Sequence, residues 1–190
     1  MVGPRGGILE GGAIVKVILE TTRLFLRELS LADLDFAAEM RADPEVMRYY
    51  PRYYSRDETE AWVRKQIDLY HTQNHALWLA VDRDTLQPVG HVGLVRQLVD
   101  GVEEREVGYM IHRTFWRRGF ATEAAIGTRD HAFDTLGLER VISLIHPDNV
   151  PSQGVARKLG MAPERRTLFN GFEHLLYSVS SSRGGHGSGT

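Results

Sequence analysis

The chain has 190 residues, 42% of them hydrophobic and 25% charged, with a formal net charge of −2 and no cysteine. One domain of this length buries a real core without covalent staples, and the charge gives no reason to expect nucleic acid or an anionic membrane as a partner. Disulfides, thiolate metal sites and a cysteine nucleophile are excluded, which points to a small-molecule partner and to chemistry without a covalent thiol intermediate.

Residues 1–19 read as an N-terminal extension. Its first twelve positions are rich in glycine, and the apolar run 13–19 is broken by Lys16 and closed by Glu20, too short to span a membrane. A secretory signal would set basic residues before a longer apolar core, whereas Glu10 precedes this one, so the chain reads as cytoplasmic. The spacing then predicts a strand over 24–29 and a helix that starts at Ser30 with Asp33 and stops near Asp43, before Pro44. Ser55 with Glu58 repeats the start signal for a second helix to about Gln73. Strands follow over 76–81, 89–98 and 106–111, then a helix from about Ala121 that Gly137 ends, a buried strand over 141–145 and a short helix over 150–159 between Asn149 and Gly160. Two strands, 165–169 and 173–180, flank a hairpin turn at Asn170-Gly171. Residues 181–190, almost all Ser and Gly, read as a flexible tail, leaving 20–180 as the one domain.

The stretch Trp116-Arg117-Arg118-Gly119-Phe120-Ala121-Thr122 sits between a strand and a helix. Gly119 has no Cβ to hold anionic oxygens away from the backbone, and the free N–H groups and dipole of the next helix favour negative charge at the same place. Each such term is worth only about 0.3–1 kcal/mol when exposed, so Arg117, Arg118 and several N–H donors would have to act together on a diphosphate. A solvated basic loop with a helix-start glycine is the plain alternative.

Further segments decide between them. The opening Glu20-Thr21-Thr22-Arg23-Leu24-Phe25-Leu26-Arg27, the helix exit Asp43-Pro44-Glu45-Val46-Met47-Arg48-Tyr49, the strand Glu106-Val107-Gly108-Tyr109-Met110-Ile111, the turn Phe115 to Ala124 and Asn149-Val150-Pro151-Ser152 arrive in a familiar order and spacing. Over residues 20–180 the chain resembles the GNAT family of N-acetyltransferases, and within it the RimJ/RimL-like branch that acetylates the N-terminal amines of ribosomal proteins. That resemblance implies a single α/β domain with a mixed, mostly antiparallel sheet flanked by helices. It also implies that the backbone of Arg117, Arg118, Gly119, Phe120, Ala121 and Thr122 wraps the diphosphate of acetyl-CoA. Tyr109, Met110 and Ile111 would pair with the pantetheine arm and offer an N–H to the oxyanion, and Asn149 would bond the arm near its thiol. Many members carry a tyrosine on the last helix to reprotonate the leaving thiolate; the matching residue here is Ala156.

Acetyl transfer by direct attack needs an amine stripped of its proton. Glu106 is the candidate base, acting directly or through water, because burial would raise its pKa; a strand-end carboxylate in solvent or in an ion pair is the alternative. Ser152, one helical turn from Asn149, is the candidate donor to the leaving sulfur, although an N-cap at Asn149 and a first-turn serine are equally compatible with the spacing. Glu123 complements a helix N-terminus. His71 and His75 have metal-pair spacing but lack a third ligand, so no metal is implied. Tyr49, Tyr50, Tyr53 and Tyr54 around Pro51 are candidates for lining an acceptor pocket. The reading is therefore an acetyl-CoA-dependent enzyme whose acceptor is a protein N-terminal amine. An aminoglycoside or polyamine is the alternative acceptor, and the missing tyrosine leaves room for a non-catalytic acyl-CoA-binding module. A homodimer is compatible with the sequence; nucleic acid and membrane partners are not expected.

Overall fold

A computed structural model describes residues 7–10 and 13–182. Nine strands form one sheet: β1 (Gly7–Glu10), β2 (Ala13–Glu20), β3 (Leu24–Arg27), β4 (Leu77–Asp82), β5 (Pro88–Val99), β6 (Val102–Ile111), β7 (Arg140–Ile145), β8 (Ala162–Phe169) and β9 (Phe172–Ser180). Their spatial order is β1-β2-β3-β4-β5-β6-β7-β9-β8. Every neighbouring pair is antiparallel except β6 with β7, so the sheet is mixed and mostly antiparallel. The helices are α1 (Leu34–Ala42), α2 (Arg56–Gln73), α3 (Phe120–Asp134) and α4 (Val150–Lys158).

The two faces can be read from single side chains. Trp78 of β4 meets His131 of α3 edge-on at 5.7 Å, whereas its neighbour Leu79 is registered with His91 of β5, which packs on Trp62 of α2 and Phe36 of α1. Successive strand residues point to opposite faces, so α3 covers one side and α1 with α2 the other. Leu24, Leu26, Val89, Val92, Phe120, Ala124 and Ala125 fill the core between sheet and helices.

Local chemistry sets the helix starts. Ser55 accepts the Glu58 N–H at 3.2 Å and Glu58 accepts the Ser55 N–H at 2.8 Å, a reciprocal cap at the start of α2. Asn170 and Gly171 take φ of 50° and 81° and turn β8 into β9. α3 stops at Asp134, three residues before the expected end, with the Thr135 and Leu136 N–H groups both folding back on the His131 carbonyl before Gly137 reverses the chain. The larger departure is at the N-terminus. Residues 13–19, expected outside the domain, belong to β2: its first half pairs with β1 and its second half, from Val17, with β3, with Lys16 paired to Glu28 at 3.4 Å. Residues 183–190 of the expected tail lie outside the described residues.

A buried ion pair fixes where α1 begins. Arg27, the last residue of β3, donates from both terminal nitrogens to Asp33 at 2.9 and 2.7 Å, and both side chains are almost wholly buried. Burial alone would raise the Asp33 carboxyl, but hydrogen bonds from Arg27 and the Ser30 N–H hold it below the ordinary aspartate value. Asp33→Ala would strand the Arg27 charge, and is expected to cost about 3–5 kcal/mol at pH 7, read as a lower urea midpoint with unchanged slope. Because the folded pKa is depressed, the carboxylate's contribution is complete above the ordinary aspartate range and is lost as pH falls through the folded value. A loss below about 1 kcal/mol would show that this pair does not anchor α1.

Candidate functional site

β6 and β7 touch and then part. Their register is a single pair, Glu106 with Ile142, followed by one side-chain bond from Ser143 Oγ to the Val107 carbonyl at 2.8 Å. Beyond it β7 follows β9 as far as Ile145 opposite Leu175, while β6 follows β5 as far as Ile111 opposite Gly90. The His112 N–H donates to Val89 at 2.9 Å. Antiparallel backbone groups alternate in direction, so Met110 also turns its backbone to β5, and Tyr109 and Ile111 turn theirs to the open side. The Ile111 carbonyl is already taken by the Trp116 indole N–H at 2.7 Å. What faces the gap is thus the N–H and carbonyl of Tyr109 and the N–H of Ile111; Met110 contributes a side chain rather than strand edge.

The basic turn has the conformation that anion capture requires. Arg117 and Gly119 both adopt left-handed backbone, φ of 60° and 82°, directly before α3. Left-handed residues at this spacing gather backbone N–H groups on one side, and the first turn of α3, from Phe120 through Ala121 to Thr122, adds N–H groups with no intrahelical acceptor. Arg117, Arg118 and Gly119 are exposed. The Arg118 guanidinium lies over Phe115 and Phe120 at 5.2 and 5.0 Å. Glu123 anchors the start of α3 to the segment before β3. It receives Thr21 Oγ1 and the Arg23 N–H, both at 2.7 Å, and pairs with Arg23 Nε at 2.6 Å. Burial opposes its charge, yet these donors hold its carboxyl below the ordinary glutamate value.

Glu106, Tyr109, Met110, Asn149 and Ser152 all line one cleft of about 730 Å³; Ile111 and the basic turn lie outside its walls. Glu106 accepts Gln97 Nε2 at 2.7 Å and the Leu144 N–H at 3.3 Å. Burial nevertheless wins over these two bonds and raises its carboxyl above the ordinary glutamate value. Asn149 caps α4, its side-chain oxygen accepting the Ser152 N–H at 3.2 Å, which leaves the amide nitrogen to donate to a ligand. The Tyr109 hydroxyl donates to the Ser152 carbonyl at 2.8 Å, so a tyrosine from β6 reaches α4 one turn before the fully buried Ala156.

Other sequence candidates divide. His75 lies past the end of α2, bonded through Nδ1 to the Leu94 carbonyl at 3.0 Å, so it shares no helical face with His71; among the described residues no group of three His, Cys, Asp or Glu could hold a metal ion. Tyr49, Tyr50 and Tyr54 line the cleft and Tyr53 does not. Burial, with Glu106 nearby, pushes the Tyr50 hydroxyl up to about 12. Among the cleft residues not foreseen are Arg41, Trp62 and His91. Arg41 had a readable signal: it stands four and seven residues after Ala37 and Leu34, on the buried stripe of α1, where a charge is out of place.

Residues 23–162 match the family model described as an acetyltransferase (GNAT) domain. An uncharacterized N-acetyltransferase of Bacillus subtilis (strain 168), YoaA, is 30% identical over 174 residues, 87% of this chain and 98% of that protein. The crystal structure of an acetyltransferase from Agrobacterium tumefaciens str. C58 superposes with a TM-score of 0.74 at 27% identity, covering 86% of this chain and 94% of that one. The RimL ribosomal L7/L12 alpha-N-protein acetyltransferase in complex with coenzyme A superposes with a TM-score of 0.71 over 86% of this chain and 97% of its own; at 17% identity this is a likeness of fold.

Glu106 is expected to titrate above the ordinary glutamate range in a carbon-13 NMR titration of the free protein. With the folded pKa raised, its contribution to stability is complete at pH below the ordinary glutamate value and declines as pH rises toward the folded one. A Glu106 carboxyl that titrates at the ordinary value would mean that the cleft leaves it solvated.

Proposed function

The chain belongs to the GNAT acetyltransferase family, and from that premise we propose that it transfers acetyl from acetyl-CoA to the N-terminal amine of a protein by direct attack. The observation that carries this reading is a half-buried Glu106 carboxyl, with its pKa raised, where β6 and β7 part, in one cleft with Asn149 and Ser152. Bound acetyl-CoA supplies the thioester. Its diphosphate suits the N–H groups gathered from Arg117 to Thr122, and its pantetheine arm suits the open edge at Tyr109 and Ile111. Asn149 donates to the arm, and the N–H groups of that edge offer hydrogen bonds to the developing oxyanion.

Glu106 takes a proton from the ammonium, directly or through one water, and the freed amine forms its bond to the carbonyl carbon. As the carbon–sulfur bond breaks, Ser152 hydrogen-bonds the departing thiolate; the attacking nitrogen sheds its surplus proton as the amide forms, and that proton, relayed by water, converts the thiolate to the leaving thiol. Alignment of the two reactants supplies much of the rate, about 7–11 kcal/mol in favourable cases. The acceptor assignment draws on the branch resemblance and on the cleft walls. Of the Lys, Arg, Asp and Glu side chains in the lining, Arg41, Arg48, Lys65 and Arg96 are cationic and Glu106 is the one carboxylate, with Arg96 paired to Glu103; that balance does not favour a polycationic aminoglycoside or polyamine.

Two experiments test the reading. Acetyl-CoA at about a hundred times its Kd is expected to stabilise the fold by roughly 2.7 kcal/mol, and Gly119→Glu, which sets an anion at the loop and a side chain on a left-handed backbone, is expected to abolish that shift; undiminished binding would remove the loop from the phosphate site. Against a panel of peptides with free N-termini, Glu106→Gln is expected to lower kcat/KM by about 10²–10⁴-fold and to remove the acidic limb of the pH profile, with acetyl-CoA affinity unchanged. Ser152→Ala is expected to lower kcat by about tenfold. Full activity in the Glu106 variant would assign the base elsewhere, and a parent enzyme that acetylates no peptide would remove the acceptor.

A further inference from the structure

The floor of the acceptor side of the cleft holds two buried polar groups that the reaction does not use. Arg41 is 9% exposed and His91 2% exposed, and Arg41 Nε and His91 Nε2 have no hydrogen-bond partner. Among the described residues no hydrogen bond or ion pair satisfies the Arg41 guanidinium. Its Cζ lies over two rings, 4.0 Å from the centroid of Tyr54 and 4.6 Å from that of Trp62, and Trp62 in turn lies 5.1 Å from His91. The rings offset part of the cost of burying the cation, but they leave the in-plane donors unused. A buried arginine ordinarily has a carboxylate or other anion to answer it.

All four residues line the cleft that contains Glu106. Tyr50 lines the same cleft, and the charges of both Glu106 and Arg41 act on its hydroxyl. His91 is driven down to about 3 by burial and then by the Arg41 charge, so it is neutral near pH 7 and in its Nε2–H tautomer can donate without adding a second cation. The other cationic side chains of the walls are Arg48, Lys65 and Arg96, the last already paired with Glu103.

Resting on the acetyltransferase reading above, we propose that the acceptor is an amine that also bears a carboxylate, bound with its amine at Glu106 and its carboxylate at Arg41 and His91 between Tyr54 and Trp62. Two sources share this chemistry: a peptide with an acidic residue beside its free N-terminus, and a free amino acid. The planar guanidinium suits a carboxylate in its own plane, and contact with two rings restrains it before any ligand arrives. Arg41 is thus a specificity-determining residue, remote from the acetyl group.

The test uses matched twins that differ only in the carboxylate: a Ser-Glu peptide amide against its Ser-Gln twin, and free serine against serine amide. Calorimetry on the full chain saturated with coenzyme A is expected to give at least one carboxylate member a Kd about tenfold or more below that of its twin, and which pair shows it identifies the source. Arg41→Met, which keeps the bulk between the rings, is expected to abolish that preference while moving the Kd of the uncharged twin less than about twofold; Arg41→Gln serves if the methionine variant does not fold. Twins that bind equally, twins that do not bind, or a preference that survives loss of Arg41 would each overturn the proposal. Acetyl transfer to the same compounds separates the two readings. Transfer without carboxylate preference leaves the enzyme and removes the Arg41 site, whereas preferential binding without transfer leaves the Arg41 site and removes the proposed reaction.

Discussion

β6 and β7 are held at one register pair, and the rest of the functional face follows from what each strand does after it. Because β7 is bound along its other edge by β9, and β6 by β5, neither strand can close the gap without giving up a ladder already made. An open strand edge inside a sheet is a liability that proteins normally cover or pair. Here the edge is left with the backbone groups of Tyr109 and Ile111 facing a cleft, so an extended ligand arm can take the place of the missing strand. The same parting lets Glu106, at the point of the fork, sit deep enough for burial to raise its pKa while the Leu144 N–H and Gln97 still reach it.

Trp116 links this edge to the basic turn. Its indole N–H bonds the last carbonyl of β6, five residues back, so the turn cannot shift without disturbing the strand end. From the other side Arg23 donates to the Arg118 carbonyl at 2.9 Å, lies 4.4 Å over the Phe120 ring and is paired with Glu123. The left-handed residues Arg117 and Gly119 are therefore held between two fixed points. Such a conformation costs on the order of 1–3 kcal/mol at a non-glycine residue and persists only where its surroundings over-determine it; two independent clamps meet that condition.

The elements that sequence pattern revealed are those whose signals are local. Ser55 and Glu58, three residues apart, make the expected cap, and Asn170-Gly171 makes the expected turn, because caps and turns are decided by a few neighbouring dihedrals. β2 was hidden because residues 13–19 become a strand through pairing with β1 and β3, and an apolar run interrupted by lysine carries no period that declares a partner. Within the cleft, the chain order of Glu106, Asn149 and Ser152 was legible as a family pattern, but their convergence depends on a nonlocal fork between strands. Which of Tyr109, Met110 and Ile111 offers backbone to the gap was not legible either: it depends on hydrogen-bond parity, fixed by the register of β5 against β6 rather than by residue type. Arg41 was readable as a charge on the apolar stripe of α1, yet its meaning waited on Tyr54 and Trp62, which come from other segments.

Stability and specificity meet in α1. One of its ends is tied to β3 by the buried pair of Arg27 and Asp33, in which each charge is answered. Near the other end Arg41 is buried with no bonded carboxylate: the Tyr54 and Trp62 faces hold it, and Glu58 acts on it only at longer range. A fold selected for stability alone would place an apolar side chain there, since exchanging buried ionic groups for well-packed apolar ones is often neutral or stabilising. The chain instead keeps an unanswered cation in a wall already short of carboxylates, and departures from local consistency of this kind gather where binding or catalysis is done. The firmly paired end of α1 keeps the helix seated on the sheet, which allows the opposite end to hold a charge whose partner arrives with the ligand.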